Sequence, residues 1–585
     1  MWKSLRAGAI ASGMVGLLLN GCGQSQPPPQ TRVKTESPAS QAWKKTADGF
    51  MEDFLHANPF FAAQQGRHEF DGELTDLSAH GIKRLVAMLH DAQRTITAVD
   101  PKTLEPREQF DREYLLSVIS GNLFWLEKTQ FPFKNPEWYM QNLDPDMYLS
   151  RDYAPLDVRM KAYIKYAHGV AKMAKDIQDN LKSPMPKSYL EVGIADFGGL
   201  QDFFAKSVAP VFASVSDPDL QKQLAEANTN AANAMGNLKA YLVGERKNAN
   251  DNFALGPDLF AQMLKDTEMV DVPLDQLEAA GKADLDRNTA ALKTECAAYA
   301  PKATLAQCVA KMDADKPKPG PVEEARVMLP KLKDFVVQNN VVSIPNDTQA
   351  LVAAAPAYNA QNAAYINVPG PFDHGVASTY NIAPPDPKWS KAEQDAYIKG
   401  EAILLFTSVH EVWPGHFLQF LHANANPNKL EALWVGNAYA EGWAHYCEEM
   451  MVEVGLGKGE PDKHIGQLVE ALLRDVRLMS AIGMHTKGMT TAQSEKMFRE
   501  QAFQDPGNAR QQAARGTYDP AYLVYTMGKL MIRKLRTDWL AKTVPNGAPD
   551  DQSHWHEFHD AFLSYGGPPI PLVRKQMVGE GGPLL

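Results

Sequence analysis

Apolar residues recur every three or four positions along almost the whole chain. Phe110, Tyr114, Val118 and Leu123 trace one such face, and Ile465, Leu468, Leu472, Val476 and Met479 trace another, the spacing that brings side chains onto one side of a helix. Alternation with period two is scarce, and the best strand candidates are two short runs, residues 334–343 and 363–367. Proline and glycine cluster at 316–321, 369–372 and 384–387, which marks loops between helical blocks without separating independent domains. No internal repeat interrupts the pattern. It predicts a mainly α fold, with residues 42–585 forming one large helical domain whose N-terminal and C-terminal halves meet at a deep cleft, and a small β-sheet beside that cleft.

Composition adds a soluble, folded body: of 585 residues, 44% are hydrophobic and 22% charged, close to the globular average. A net charge of −11 and a pI near 5.8 leave no electrostatic footprint for nucleic acid. The N-terminus changes the picture more. Lys3 and Arg6 precede an apolar stretch over residues 7–19, the order of a secretory signal and too short for a spanning helix. Leu19-Asn20-Gly21-Cys22 resembles a bacterial lipoprotein cleavage site, so residues 1–21 are expected to be removed and Cys22 to carry the lipid. An ordinary signal peptide with an incidental cysteine is the alternative. Residues 22–41, with Pro27, Pro28 and Pro29 in a row, then read as a flexible tether. This places the body at the bacterial cell envelope, lipid-anchored and facing the periplasm or the exterior. Cys296 and Cys308 lie in one alanine-rich segment and could pair in an oxidising compartment; Cys447 reads as a small buried apolar residue.

The segment richest in chemistry begins with an apolar helix delivering His410 and Glu411 side by side, as in the opening of the zinc-peptidase motif HExxH. The second histidine of that motif is displaced: Pro414 stands four residues on, and His416 follows Gly415. In an unbroken helix at about 100° per residue the two rings would point some 240° apart and could not share an ion. Pro414 and Gly415 supply the means to break that regularity, although spacing alone leaves the choice of His416 open. Further on, Glu441, His445 and Glu448 fall on one helical stripe, costly to bury unless a cation or partner charges satisfy it. His410, His416 and Glu441 would form a two-histidine, one-carboxylate set for one zinc ion. Glu411 would accept the proton of the attacking water as general base, with His445 and Glu448 orienting the ligands from behind. The bland reading of each piece alone is a polar network or surface feature. His422 and the His554, His556 and His559 group read as solvated, packed or surface features.

These motifs resemble domain-of-unknown-function family 885, a group of bacterial lipoproteins similar to the helical Glu-zinc metallopeptidases. The resemblance runs from Asn58-Pro59, Gly66 and Asp71 through Leu255-Gly256-Pro257 to His410–Gln419 and Glu441-Gly442-Trp443-Ala444. It continues over Arg474, Arg477, His485, Arg515 and the run from Pro520 to Lys529. It implies a helical architecture with an enclosed zinc site in the C-terminal half, and short peptides as substrates. By analogy with such peptidases, Tyr525 and His485 are the candidates for polarising the carbonyl, and Arg477 or Arg515 for clamping a substrate carboxylate. Each has a structural alternative as a packing residue or internal ion-pair partner. The leading expectation is a membrane-tethered zinc peptidase acting on short peptides. Its rival is a catalytically inert, metal-containing lipoprotein that binds peptides or supports the envelope. Hydrolysis of another amide, such as a cell-wall peptide, stays open within the same mechanism.

Overall fold

Ser37 accepts a hydrogen bond from the Ser40 amide and caps the first helix, with Pro38 at its start, a position where the missing proline N–H costs nothing. This computed structural model of the chain describes residues 37–355, 363–385, 389–544 and 551–585; the expected signal segment, Cys22 and most of the tether lie outside them. Because helix α1 (Pro38–Ala57) begins at Pro38, the folded body starts four residues before the expected end of the tether.

The long helices that frame the molecule are α2 (Leu156–Asn180), α3 (Lys187–Lys206), α4 (Pro218–Glu245), α5 (Leu274–Tyr299) and α6 (Pro321–Gln338) in the first part of the chain. After the sheet come α7 (Glu401–Glu411), α8 (His416–Ala425), α9 (Asn437–Glu453), α10 (Pro461–Thr486), α11 (Pro506–Tyr518) and α12 (Val524–Thr543). The mainly α reading holds. The faces read from the sequence are the buried ones: Phe110, Tyr114 and Leu123 in one case, Ile465, Leu468, Leu472 and Val476 in the other. One core gathers apolar side chains of α2, α3 and α4. A second and larger core holds α5, α6 and the helices from α7 onward. Where α9 crosses α12 the contact is backbone on backbone. A Cβ on Gly442 would stand 2.6 Å from Cα of Gly528, and one on Gly528 would collide with the Ala438 carbonyl.

The small sheet has three strands, β1 (Leu351–Ala354), β2 (Ala364–Asn367) and β3 (Thr379–Ile382), in the order β1-β3-β2. β1 runs parallel to β3 and β2 antiparallel to it, with Ile366 opposite Tyr380. The strand expected over residues 363–367 is therefore present, whereas that over 334–343 is not. Its first five residues end α6, where Met328, Leu329, Leu332 and Val336 are buried at helical spacing, and helical periodicity outweighs the local β-branched content. Cys296 and Cys308 form a disulfide that joins α5 to the following helix.

A clamp ties the first half of the chain to the loop after β2. His68 bonds Asp71 at 3.1 Å and Asp373 at 2.9 Å, and the Tyr153 ring stacks on it at 3.8 Å. Arg151 meets the Asn367 side chain at 3.0 Å, so the clamp reaches β2 itself.

Candidate functional site

The apolar helix α7 ends in His410 and Glu411, both buried. Val412 leaves helical geometry, Trp413 and Pro414 are joined by a cis peptide, and the Gly415 amide returns a hydrogen bond to the Val409 carbonyl at 3.0 Å. A Cβ at Gly415 would fall on the His410 carbonyl oxygen, so this turn admits only glycine there. Trp443 Nε1 and Cys447 Sγ of α9 both donate to the Pro414 carbonyl, at 2.9 and 3.6 Å. His416 then opens α8. The half-turn separation of a straight helix is undone: the two imidazoles stand edge to face with centroids 4.8 Å apart. Glu441 reaches them from α9, its Oε2 lying 3.3 Å from Nε2 of each. Histidines and glutamate each offer one ligand atom, and all three atoms lie within 4.8 Å of one another. His416 Nδ1 is buried without a hydrogen-bond partner, a costly state for a polar atom unless something else satisfies it.

Behind this triad stands a fully buried carboxylate. Glu448 Oε1 lies 2.6 Å from His410 Nδ1 and 3.2 Å from Arg474, and its Oε2 lies 3.2 Å from His445 Nδ1. Burial raises the Glu448 carboxyl, but Arg474 and the two histidines pull it well below its ordinary value. Burial lowers the His410 imidazole, yet its bonds with Glu441 and Glu448 hold it at about 9. His445 is pushed down to about 3 by burial and by the nearby Lys529, so it is neutral. Glu411 accepts a hydrogen bond from the Ile366 amide of β2 at 3.0 Å, and burial raises its carboxyl. The sheet is held against α7 on its other side, where the Tyr380 and Ser408 hydroxyls approach to 3.4 Å.

A cavity of about 1810 Å³ opens in front of the triad, lined by residues of both halves of the chain. Tyr525 borders it, with its ring 6.2 Å from that of His410 and the guanidinium groups of Arg477 and Arg474 over its face at 4.9 and 5.7 Å. Arg515 lies beside the Tyr525 side chain and pairs with Asp519 at 2.9 Å. Arg477 is buried and, among the described residues, has no acidic partner; Nε donates to Gln512 at 2.9 Å. Burial and the neighbouring Arg515 lower it to about 10.

His485 does not join this group. Its Nε2 bonds the Gly516 carbonyl at 2.7 Å, its Nδ1 accepts from the Leu255 amide at 3.3 Å, and its ring stacks on Phe260. With both nitrogens engaged in joining three segments, its position is structural, and burial lowers it to about 4. His422 turns toward the Ser343 carbonyl at 2.8 Å rather than to solvent, and His559 is packed between Val341 and Tyr446. Arg474 is the residue whose part was missed. Glu470, Arg474 and Arg477 recur at helical spacing on the otherwise apolar α10, a polar stripe that carried the signal.

The fold is similar to that of a solved "putative lipoprotein of unknown function" from Shewanella oneidensis, with a TM-score of 0.73 and 22% identity over 92% of this chain and 99% of that one. It is similar also to a solved "putative lipoprotein" from Colwellia psychrerythraea, with a TM-score of 0.77 and 16% identity over 92% and 99%. No curated protein matches the sequence. Residues 59–577, which include the triad, the polar residues behind it and the arginines of the cavity, match one family throughout: the chain belongs to the bacterial proteins of unknown function grouped as DUF885.

Proposed function

We propose that the cavity is the active site of a zinc-dependent peptidase that hydrolyses short peptides at the bacterial cell envelope. The observation that carries this reading is the convergence of His410, His416 and Glu441 to within 4.8 Å, with the buried His416 Nδ1 lacking a partner and Glu411 adjoining. Two imidazoles and a carboxylate are the donor set of hydrolytic zinc sites. When bound there, zinc supplies a Lewis acid that brings the pKa of water toward neutrality.

The protein's own groups divide the remaining work. Glu448 fixes the His410 ring by accepting at Nδ1, which leaves Nε2 directed at the triad. Glu411 takes the proton of the attacking water and returns it to the leaving amine; the Ile366 amide holds one of its oxygens and leaves the other for the proton. Tyr525, beside Arg515, donates a hydrogen bond from its hydroxyl to the oxygen that gains charge at the carbonyl. Arg477, a buried cation without a counter-charge, binds a free carboxylate of the substrate. A cavity of about 1810 Å³ suits a peptide of a few residues. Attachment through a lipid on Cys22 draws support from the description of the two structural relatives as lipoproteins; among the described residues no helix is long and apolar enough to cross a membrane.

The test is the metal content of the purified mature protein and of Glu441→Ala by elemental mass spectrometry. The expected result is close to one zinc per chain, lost in the variant, with hydrolysis of short peptides by the wild type alone. No stoichiometric transition metal even after reconstitution would overturn the reading and leave an inert binding lipoprotein.

A further inference from the structure

Among the carboxyl groups that the N-terminal half contributes to the cavity are Glu137 and Asp196. Glu137 sits on a short 3₁₀ turn, Pro136–Asn142, that starts at Asn135; Asp196 lies on α3. Two contacts fix where these groups stand. Pro136 presses on α3 so closely that a Cβ at Gly193, one turn before Asp196, would lie 2.6 Å from Pro136 Cβ. The Asn135 side chain donates to the Tyr518 carbonyl at 3.3 Å, at the end of α11 and three residues beyond Arg515. The carboxyl groups are thus brought beside the arginine pole of the cavity. Among the described residues neither pairs with a lysine, arginine or histidine, in contrast to Glu191, Glu470 and Asp519, which line the same cavity and each hold an arginine. Burial pushes both Glu137 and Asp196 up to about 7, so each would gain from a cation brought to it.

The same cavity holds Arg477, 7% exposed, with Gln512 as its hydrogen-bond partner and, among the described residues, no carboxylate in ion-pair contact. A buried cation and two half-buried acids, each lacking its counter-charge and all facing one cavity, describe the negative image of a ligand with both charges. We infer that the substrate's terminal residue carries a free α-carboxylate, taken by Arg477, and a basic side chain, taken by Glu137 and Asp196. The preferred substrates are short peptides ending in a lysine-like residue. This rests on the peptidase reading of the site but is separable from it, because the two charged subsites are built by side chains outside the triad.

The experiment compares Gly-Gly-Lys with Gly-Gly-norleucine, which differ in the side-chain amine. Binding is measured calorimetrically on full-length Glu411→Gln protein, so that bound peptide is not consumed, and hydrolysis is measured on the wild type. The lysine peptide is expected to bind roughly tenfold or more tightly. In protein that also carries Glu137→Gln and Asp196→Asn that ratio should fall to near one, and amidation of the peptide's C-terminus should weaken binding to either protein. Thermal denaturation of the variant checks that it is folded, and removing two unpaired, half-buried carboxyl groups should not lower its midpoint. Equal binding of the two peptides, or a lysine preference that survives both substitutions, would overturn the subsite. Hydrolysis without lysine preference leaves the peptidase and removes the subsite. Preferential binding with no hydrolysis by zinc-loaded wild type leaves the subsite and removes the peptidase; absence of both binding and hydrolysis overturns the two together.

Discussion

Glu411 and Glu448 are both buried glutamates within reach of His410, yet their surroundings assign them opposite work. Glu448 is surrounded by Arg474, His410 and His445 and is held ionised; Glu411 has a single backbone amide and a carboxyl raised by burial. Replacing Glu411 by Gln should therefore leave zinc in place while turnover falls by about 10²–10⁴, and unchanged turnover in a metal-replete variant would remove it from the mechanism. Glu448→Gln should act on the ion instead. It removes the group that orients His410 and leaves Arg474 without its buried partner, so metal affinity is expected to drop by about 10–100-fold, read by competition with a chromophoric chelator. The meeting of His410, His416 and Glu441 was legible in the sequence because an apolar helix delivers His410, Pro414 and Gly415 can break the helix before His416, and Glu441 lies on a polar helical stripe. The contacts of His485 were not legible, because sequence shows a histidine on a buried helix face but not what its two nitrogens hold. Arg474 was passed over for the complementary reason: its importance lies in touching Glu448, a contact between helices 26 residues apart in sequence.

At the scale of elements, the turn from Val412 to Gly415 decides whether α7 and α8 can bring two histidines together. Pro414 and Gly415 announced a break, but not that the chain would reverse tightly enough to place one ring against the other; that follows from the Gly415–Val409 hydrogen bond and the α9 donors on Pro414. Helices were readable because a 3.6-residue period survives over many turns. The sheet was only half readable, since four-residue strands give too few alternations to separate them from a helix end such as that of α6. The crossing of α9 and α12 yields a sharper expectation. Glu441 and the other polar residues of α9 keep their positions only while Gly442 and Gly528 let the two backbones touch. Gly528→Ala should cost about 1–3 kcal/mol of stability by overpacking and also weaken zinc binding, as α9 is pushed off its partner. A variant with wild-type denaturation midpoint and wild-type zinc affinity would show that the crossing tolerates the methyl group.

Over the whole molecule, the cavity exists because two helical halves face each other, and the His68 clamp is one of the places where they are fastened. Burial depresses His68, but its hydrogen bonds to Asp373 and Asp71 outweigh it and raise the imidazole from 6.5 to about 9. The sign follows from linkage. The unfolded chain gives up this proton near 6.5 and the folded one near 9, so the clamp's contribution is complete below the lower value and is lost as pH rises through the higher. With the His68 side chain 31% exposed, screening leaves on the order of 1 kcal/mol. Urea midpoints at pH 6 and pH 9.5 should fall further in the wild type than in His68→Gln, and equal falls would dismiss the clamp as a source of stability. Sequence reading reached the mainly helical body, but not the clamp, whose partners Asp71 and Asp373 lie on opposite sides of some three hundred residues of intervening chain.

The disulfide between Cys296 and Cys308 carries one more consequence, because the remaining cysteine of the folded body, Cys447, is fully buried against Pro414. Body sulfurs therefore keep a chemical memory of where the chain matured. Protein that has passed through an oxidising compartment should give no reaction with a thiol reagent while native and one equivalent from residues 37–585 once unfolded. The same body retained in a reducing cytosol would give three on unfolding.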